Sequence, residues 1–273
     1  MRRTINGIDG SYGDMSAIST TQSPLKVTIT IIILILLTGC SVKWADNIAY
    51  KGHLRENINE YDKAIRLYNR AIRFNKESVL AYWRRAFWLY NNDQYQKSID
   101  DLDKAIKIDS TFNSGHLFAD RGDSKVMLAD YRGAINDYTT ALALCKIEPN
   151  RPSTPKENFF FYRSKAYLHV SDTASALVDL DSAIYYWDRF PRAIWLRAQL
   201  KSKLRKYDEA MSEYRSFPLD EGQAEFDYYA EDFYYQGLSK FKTGDSTYCY
   251  DWTVAASYKF ELAIKDLERY CKK

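Results

Sequence analysis

Residues 52–71 read GHLRENINEYDKAIRLYNRA, and residues 86–105 read AFWLYNNDQYQKSIDDLDKA. The same order of residue types returns after 34 positions: small, aromatic, small, large and small. A third copy starts at Gly122 after a two-residue insertion, a weaker one at Ser164, and a fifth at Ala198. A period of this length predicts an array of stacked structural units, each of which contacts its neighbours.

The residue order has a physical reason that the first copy illustrates. Gly52 and Ala64 are small enough to let two helices approach closely, while the large Tyr68 fills the seam between successive units. Ile65, Tyr68 and Ile72 recur at i, i+3 and i+7, which places them on one stripe of a helix. Because one hairpin alone leaves this stripe in water, we expect several repeats to be needed for stability.

The pattern resembles the tetratricopeptide repeat. The resemblance implies an all-α, right-handed superhelix of about six helical hairpins, with Gly237 and Gly244 in the sixth, and a C-terminal capping helix. The last segment, with its Asp251-Trp252 pair, resembles the closing portion of bacterial tetratricopeptide lipoproteins, although its spacing departs by one residue. The predicted divisions are repeats 1–3 at 46–148, a Pro-rich connector at 149–156, repeats 4–5 at 157–224, and repeat 6 with the cap at 229–273.

The start of the chain differs from the rest. An uncharged apolar run, Val27 to Leu37, follows a segment that carries basic residues, which is typical of a secretory signal. It ends in Leu37-Thr38-Gly39-Cys40, which resembles the bacterial lipobox. We therefore expect a signal peptide at 1–39, translated from Met1 or Met15, a lipid (palmitate-type) on Cys40 and a tether at 40–45. An uncleaved signal anchor is the alternative.

This resemblance also implies a location. A lipid-bearing Cys40 would hold the protein on a membrane of the bacterial cell envelope. By analogy with known lipoproteins, Ser41 is compatible with the outer membrane, facing the periplasm. Inner-membrane placement and surface exposure stay open at this point.

Charge and motifs exclude several classes of protein. The formal net charge is +3, and both signs are mixed along the chain, so no basic face predicts nucleic-acid binding. No nucleophile elbow, phosphate loop or zinc-protease motif occurs, and the three histidines do not cluster. We expect neither an enzyme nor a cofactor or metal site. Asp100, Asp101 and Asp103 are expected to face solvent.

Three cysteines remain after Cys40. One of them, Cys249, opens the second helix of the last hairpin, and Cys271 ends the capping helix that should fold back beside it. An exported protein meets an oxidising compartment. We therefore predict a Cys249–Cys271 disulfide and a free thiol at Cys145.

The resemblance also suggests where a partner would bind, because tetratricopeptide proteins commonly use the concave surface lined by the first helix of each repeat. A known carboxylate clamp needs Lys and Asn at its fifth and ninth positions. The fifth positions here are instead Ala49, Trp83, Ala119, Phe161, Trp195 and Tyr234. The clamp is therefore not supported.

Aromatic residues favour a different binding surface. Trp83, Phe87 and Tyr90 form a stripe that the repeat itself does not require, and Phe161, Trp195 and Tyr234 are candidate neighbours from later repeats. Large aromatics dominate binding energy, so we predict a scaffold for a protein or peptide partner. The alternative is a glycan-binding lipoprotein that stacks sugars on these rings. A third hypothesis is a purely structural spacer. The packing of repeat against repeat would also account for aromatic residues at these positions.

Overall fold

The computed structural model describes residues 41–145, 156–216 and 229–271, and all regular structure within these ranges is helical. The α-helices are α1 over residues 41–56, α2 Tyr61–Phe74, α3 Val79–Asn91, α4 Tyr95–Ile108, α5 His116–Met127, α6 Tyr131–Leu144, α7 Lys156–His169, α8 Thr173–Tyr186, α9 Pro191–Lys203, α10 Tyr207–Ser216, α11 Tyr229–Thr243, α12 Tyr248–Ser257 and α13 Glu261–Tyr270. A short 3-10 helix, Phe112–Gly115, precedes α5. The predicted all-α class is confirmed.

Several predicted features lie outside the described residues. They are the signal peptide with Cys40, residues 149–155 of the Pro-rich connector, and residues 217–224 at the end of the predicted fifth repeat. In the part of the chain that is described, no helix is long and apolar enough to cross a membrane.

Consecutive helices pack as hairpins, from α1 with α2 to α11 with α12, and α13 packs on α12 as a cap. The first helix of each later hairpin also contacts the second helix of the hairpin before it. The six hairpins and the capping helix that the repeat pattern predicts are therefore confirmed in the described ranges. Their apolar faces are buried between neighbours, which is how a solenoid forms a continuous core.

The turn inside every hairpin has the same backbone conformation. One residue, at the same position in each repeat, has φ between 57° and 79°. These residues are Asn59, Asp93, Ala129, Ser171, Arg205 and Gly244. The next N–H then donates to a carbonyl of the first helix, as Glu60 does to Arg55 at 2.9 Å. Only Gly244 adopts this conformation without steric cost, so in the other five repeats the surrounding packing imposes it.

The large residue of each repeat was expected in the seam between successive units, but the structure packs it against the small residue in the seam between the two helices of its own hairpin. A Cβ atom added to Gly52 would lie only 2.6 Å from Cε1 of Tyr68, and one on Gly122 would lie 3.1 Å from Tyr138. The large member is fully buried in all six pairs. The pairs are Gly52–Tyr68, Ala86–Leu102, Gly122–Tyr138, Ser164–Leu180, Ala198–Tyr214 and Gly237–Trp252.

A second repeated feature, which the sequence analysis missed, is a clasp between an arginine of the first helix and an acid 16 residues later in the second. Four hairpins carry it: Arg85–Asp101, Arg121–Asp137, Arg163–Asp179 and Arg197–Glu213. In the first three, Nε and Nη2 donate to both carboxylate oxygens over 2.6–3.0 Å.

The remaining nitrogen of each arginine reaches backwards along the array. Nη1 donates to a side chain on the second helix of the preceding hairpin. These acceptors are Asn69, Asp103, Thr139 and Asp181. Each arginine therefore ties its own hairpin together and holds it to the one before.

The clasp corrects one prediction from the sequence. Asp100 and Asp103 are exposed as expected, but the expectation that Asp101 faces solvent is wrong, because its side chain is buried against Arg85. A buried carboxylate is tolerated where a guanidinium satisfies both of its oxygens. Helical spacing alone does not reveal that partner, since the partner lies on another helix.

The cap is tied to the last hairpin by a disulfide. Sulfur atoms of Cys249 in α12 and Cys271 after α13 are bonded, and their Cα atoms lie 5.8 Å apart. Cys145 is a free thiol, and burial raises its pKa. A cross-link between residues 22 positions apart stabilises the fold chiefly by restricting the unfolded chain.

Candidate binding site

The first helices of hairpins 4, 5 and 6 form a pocket, which we call the α7–α9–α11 pocket. Its volume is about 390 Å³. The apolar part of its lining consists of Phe161, Leu168, Trp195, Leu196 and Leu200, and the polar part of Lys165, His169, Arg192, Gln199, Lys203, Glu231 and Asp232. An apolar lining with few convergent polar groups is typical of a ligand site.

Two cationic groups lie close to the Phe161 ring of this pocket. The Arg192 guanidinium lies 5.3 Å from the centroid of the Phe161 ring, and the Lys165 ammonium lies 6.0 Å from the same centroid. The pocket therefore offers cationic groups on one side of its apolar surface. On the α11 side it offers two adjacent carboxyl groups, those of Glu231 and Asp232.

Asp232 is the unusual member of the pocket. Its side chain is only 5% exposed, and burial, followed by the negative charge of Glu231, raises its pKa to about 8, against the opposing effect of Lys203. The Lys203 ammonium is already paired with Glu231 at 2.9 Å. Asp232 therefore keeps its proton to a higher pH than an ordinary aspartate, and a cationic group of a ligand beside it would favour its ionised form.

The structure places the later aromatic candidates in the interior. Phe161 and Trp195 are 3% and 2% exposed, and although both line the pocket, each presents little of its ring. Tyr234 lies outside the pocket, donates to Asp266 at 3.0 Å and packs against Trp252 and Phe260. The expectation that all three lie open to a partner is wrong, because side chains of their own hairpins and of the neighbouring helices cover them.

The stripe on α3 divides in two. Phe87 is 47% exposed, whereas the partly buried Trp83 donates from Nε1 to Asp120 at 2.5 Å and packs edge-on against Phe112. Tyr90 packs edge-on against Tyr95, and burial raises its pKa to about 12. Within the stripe, Phe87 is the residue that is free to contribute a large apolar surface to a partner.

Two carboxyl groups of α5 lie on the same side as the stripe, and the sequence analysis missed both. Burial raises the pKa of Asp120 to about 6 and that of Asp123 to about 7. Asp120 accepts from Trp83, and Asp123 accepts from the Tyr138 hydroxyl at 2.5 Å. Their partners lie on other helices, so only the packed array reveals their environment.

Truncation of the stripe should separate packing from binding. We expect Trp83→Ala to lower the free energy of unfolding by about 3 kcal/mol, because it removes a packed ring and leaves Asp120 without its donor. Phe87→Ala should cost less than about 1 kcal/mol, since this ring is half exposed. Urea denaturation of both variants tests this, and equal losses would contradict the division of the stripe.

The raised pKa of Asp232 predicts a pH-dependent stability. In the unfolded chain the carboxyl titrates near pH 3.9, so between about pH 4 and about pH 8 the folded state holds the additional proton. The free energy of unfolding should therefore fall as pH rises through this window, by up to about 1.4 kcal/mol per pH unit. Asp232→Asn should remove this component and be several kcal/mol more stable than the wild type at pH 8.

The control for this experiment is Asp208→Asn, at an exposed carboxylate of α10. Its free energy of unfolding should change with pH in parallel with that of the wild type. Both proteins keep Asp232, and both keep the smaller contributions of Asp120 and Asp123. Denaturation midpoints measured at a series of pH values provide the comparison. A profile of Asp232→Asn that is parallel to the wild type would contradict the raised pKa.

Within the described ranges, no group of three or more His, Cys, Asp or Glu residues is arranged to hold a metal ion. His53 lies near Glu56, His116 packs on Phe159, and His169 stacks on Tyr131 with ring centroids 4.1 Å apart. The three histidines thus lie in three separate hairpins. Their contacts are those of packed residues.

Solved structures with the same arrangement of helices include YrrB, a TPR protein with an unusual peptide-binding site. The two align with a TM-score of 0.56 at 19% identity, over 74% of this chain and 97% of YrrB. The chain has the tetratricopeptide-repeat fold. PilF of Pseudomonas aeruginosa aligns with this tetratricopeptide array with a TM-score of 0.66 at 15% identity, over 85% of this chain and 98% of PilF.

Curated proteins match part of the tetratricopeptide array. Rat serine/threonine-protein phosphatase 5 is 26% identical over 110 residues, which are 40% of this chain and 21% of the phosphatase. A TPR repeat-containing protein of Methanocaldococcus jannaschii is 28% identical over 90 residues, which are 33% of this chain and 15% of that protein. The chain spans about a fifth or less of the length of these relatives. No protein-family profile matches it.

Proposed function

We propose that this protein is a scaffold without catalytic activity, which is lipid-anchored at Cys40 in the bacterial cell envelope and binds a peptide segment of a protein partner. The α7–α9–α11 pocket carries the proposal. It combines an apolar surface with cations on one side and the buried carboxyl of Asp232 on the other. Such a pocket suits an extended peptide whose apolar side chain is followed by a basic one.

Each part of that peptide has a counterpart. Its apolar side chain would contact Leu196 and the accessible edges of the aromatic rings, and its backbone carbonyls would lie near Arg192 and Lys165. Its basic group would pair with Glu231 and Asp232, and Asp232 would lose its proton on binding. Peptide binding at an unusual site is also described for YrrB, which supports the proposal only through the shared fold.

Glycan binding is disfavoured by the same geometry. Sugar rings stack on broad, open aromatic faces, whereas Phe161, Trp195 and Tyr234 are nearly covered. A purely structural spacer is disfavoured, because a buried carboxyl with a raised pKa in an open pocket is more typical of a binding site. The envelope location rests on the lipobox-like Leu37 to Cys40 and on the apolar run before it.

Site-specific photo-cross-linking in intact cells tests the binding proposal. A photoreactive amino acid at Leu196, inside the pocket, should give discrete adducts with an envelope protein. The control position is Val178, which is exposed on the second helix of hairpin 4 and should give none. Adding Asp232→Asn to the Leu196 variant should weaken the adduct. No adduct at 196, or the same adducts at both positions, would refute this site.

Lipid attachment is tested separately. Radiolabelled fatty acid should be incorporated into the wild type, and Cys40→Ser should abolish incorporation and block normal removal of the signal. Label in the Cys40→Ser variant would place the lipid elsewhere. No label in the wild type would refute the anchor and leave the pocket proposal standing.

A further inference from the structure

The beginning of α1 and the end of α2 lie side by side. Asn75, which caps α2, donates from Nδ2 to the Ser41 hydroxyl at 2.6 Å. Close to this bond, the ring of Trp44, one turn into α1, packs on the ring of Phe74, the last residue of α2, with centroids 6.3 Å apart. Ser41 directly follows Cys40 in the sequence. The last turn of α2 is therefore at the end of the array where the proposed lipid is attached.

Large aromatic surface is exposed at this end. Trp44 is 67% exposed and Phe74 is 53% exposed, although the two rings contact each other. Adjacent exposed aromatics mark a surface that meets something other than water. Trp is the residue most characteristic of the boundary between lipid headgroups and acyl chains, where its ring is apolar and its N–H can be hydrogen-bonded.

Positive charge surrounds the aromatic pair. Lys43 is exposed beside Trp44, Arg73 is exposed in the last turn of α2, and Arg70 is exposed about one turn before it. Both arginines line a basic cleft of about 730 Å³ together with Arg66, Arg55, Lys63 and Arg85. Of these cations, Arg55 and Lys63 pair with Glu60, and Arg85 pairs with Asp101.

The cations beside the aromatic pair are not neutralised by any residue that the structure describes. Among the described residues, no carboxylate forms an ion pair with Lys43, Arg70 or Arg73. The acids of this end are Asp46, which accepts from the Ser78 hydroxyl at 2.6 Å, and the exposed Glu77. The net charge of the surface is therefore positive.

We propose that this surface, formed by Lys43, Trp44, Arg70, Arg73 and Phe74, is a membrane-contact face for a bilayer of anionic phospholipid. Trp44 and Phe74 enter the headgroup region, and the two arginines and the lysine meet lipid phosphates. The inference rests on the proposed anchor at Cys40, which brings this end to the bilayer. A protein attached to the bilayer at one residue can rotate about that point. The contact face gives the array one orientation relative to the bilayer, with the α7–α9–α11 pocket beginning three hairpins away.

Fluorescence quenching by brominated lipid acyl chains tests this face on the full chain. The wild type and Trp44→Phe are reconstituted into vesicles of phosphatidylcholine, with or without phosphatidylglycerol. In the anionic vesicles the wild type should be quenched and Trp44→Phe should lose most of that quenching, because the other tryptophans lie elsewhere in the array. Equal quenching of the two proteins would overturn the contact face.

The charge contribution is tested with a matched pair of variants. Arg70→Glu combined with Arg73→Glu should reduce the quenching of Trp44 in anionic vesicles by about twofold or more. Lys107→Glu combined with Arg132→Glu changes the charge equally at exposed positions of α4 and α6 and should match the wild type. Circular dichroism on the same samples checks folding. Equal quenching with and without phosphatidylglycerol would overturn the preference for an anionic bilayer, because phosphatidylcholine carries a phosphate but no net charge.

Mass spectrometry of the reconstituted protein separates this inference from the anchor. A wild type that lacks lipid on Cys40, yet shows quenching of Trp44 in anionic vesicles, would refute the anchor and support the contact face. A lipid-bearing wild type whose quenching equals that of Trp44→Phe would refute the contact face and support the anchor.

Discussion

Replacement of Arg163 by alanine is expected to lower the free energy of unfolding by about 3 to 5 kcal/mol, because it leaves the buried carboxylate of Asp179 without its partner. Two nitrogens of Arg163 donate to the two oxygens of Asp179 at 2.8 and 2.7 Å, and the third donates to Thr139 at 2.9 Å. Removal of the guanidinium therefore disrupts hairpin 4 and its contact with hairpin 3. Urea denaturation followed by circular dichroism measures the loss.

A double-mutant cycle shows whether the cost comes from the unpaired charge. Arg163→Ala with Asp179→Ala should be less destabilising than the sum of the two single changes, since each single variant leaves one charge without its partner and the double variant leaves none. The matched control is Arg132→Ala, at an exposed arginine of α6, which should change stability by less than about 0.5 kcal/mol. Strict additivity of the two single changes would show that the clasp carries no coupling.

The substitution Ala141→Glu should also cost several kcal/mol, because it places a charge in a seam with no space and no partner. Ala141 is fully buried, and its backbone is so close to Gly115 that a Cβ added there would lie 2.5 Å from the Ala141 carbonyl oxygen. Ala105, at the same position of hairpin 2, is equally buried and should respond in the same way.

The matched control is Asn136→Glu, which adds the same side chain at an exposed position of the same helix. Thermal unfolding of the variants gives the comparison. The midpoint of Asn136→Glu should stay close to that of the wild type, whereas those of Ala141→Glu and Ala105→Glu should fall. An unchanged midpoint for either buried variant would refute the register of the repeats.

The arginine clasp was present in the sequence but not recognised. Arg85, Arg121, Arg163 and Arg197 recur with the repeat, and each has an acid 16 residues later. Considered one helix at a time, these charged residues lie outside the apolar stripe and are predicted to face solvent. Opposite charges that recur at a fixed offset in successive repeats predict such pairs, because the offset joins the two helices of one hairpin.

The aromatic residues show that residue type and helix face do not by themselves predict exposure. Their types and positions were read correctly, yet exposure separates Phe87, which is half exposed, from Phe161 and Trp195, which are nearly covered. All three lie on first helices at positions that the repeat assigns to the same face. They also differ in repeat position, since Phe161 and Trp195 occupy the fifth position, where packed helices cover the ring, and Phe87 occupies the ninth and is left open.

The sequence by itself determined the hairpins and their stacking, because these depend on the spacing of small and large residues within one period. It also placed Cys249 and Cys271 at two ends that antiparallel helices bring together. Only the tertiary structure decided the burial of Asp101 and Asp232, the covering of Phe161 and Trp195, and the joining of Trp44 and Phe74 with Arg70 and Arg73 beside Ser41. The physical reason is that burial and electrostatic environment depend on which side chains a neighbouring helix supplies, and helical periodicity describes one helix at a time.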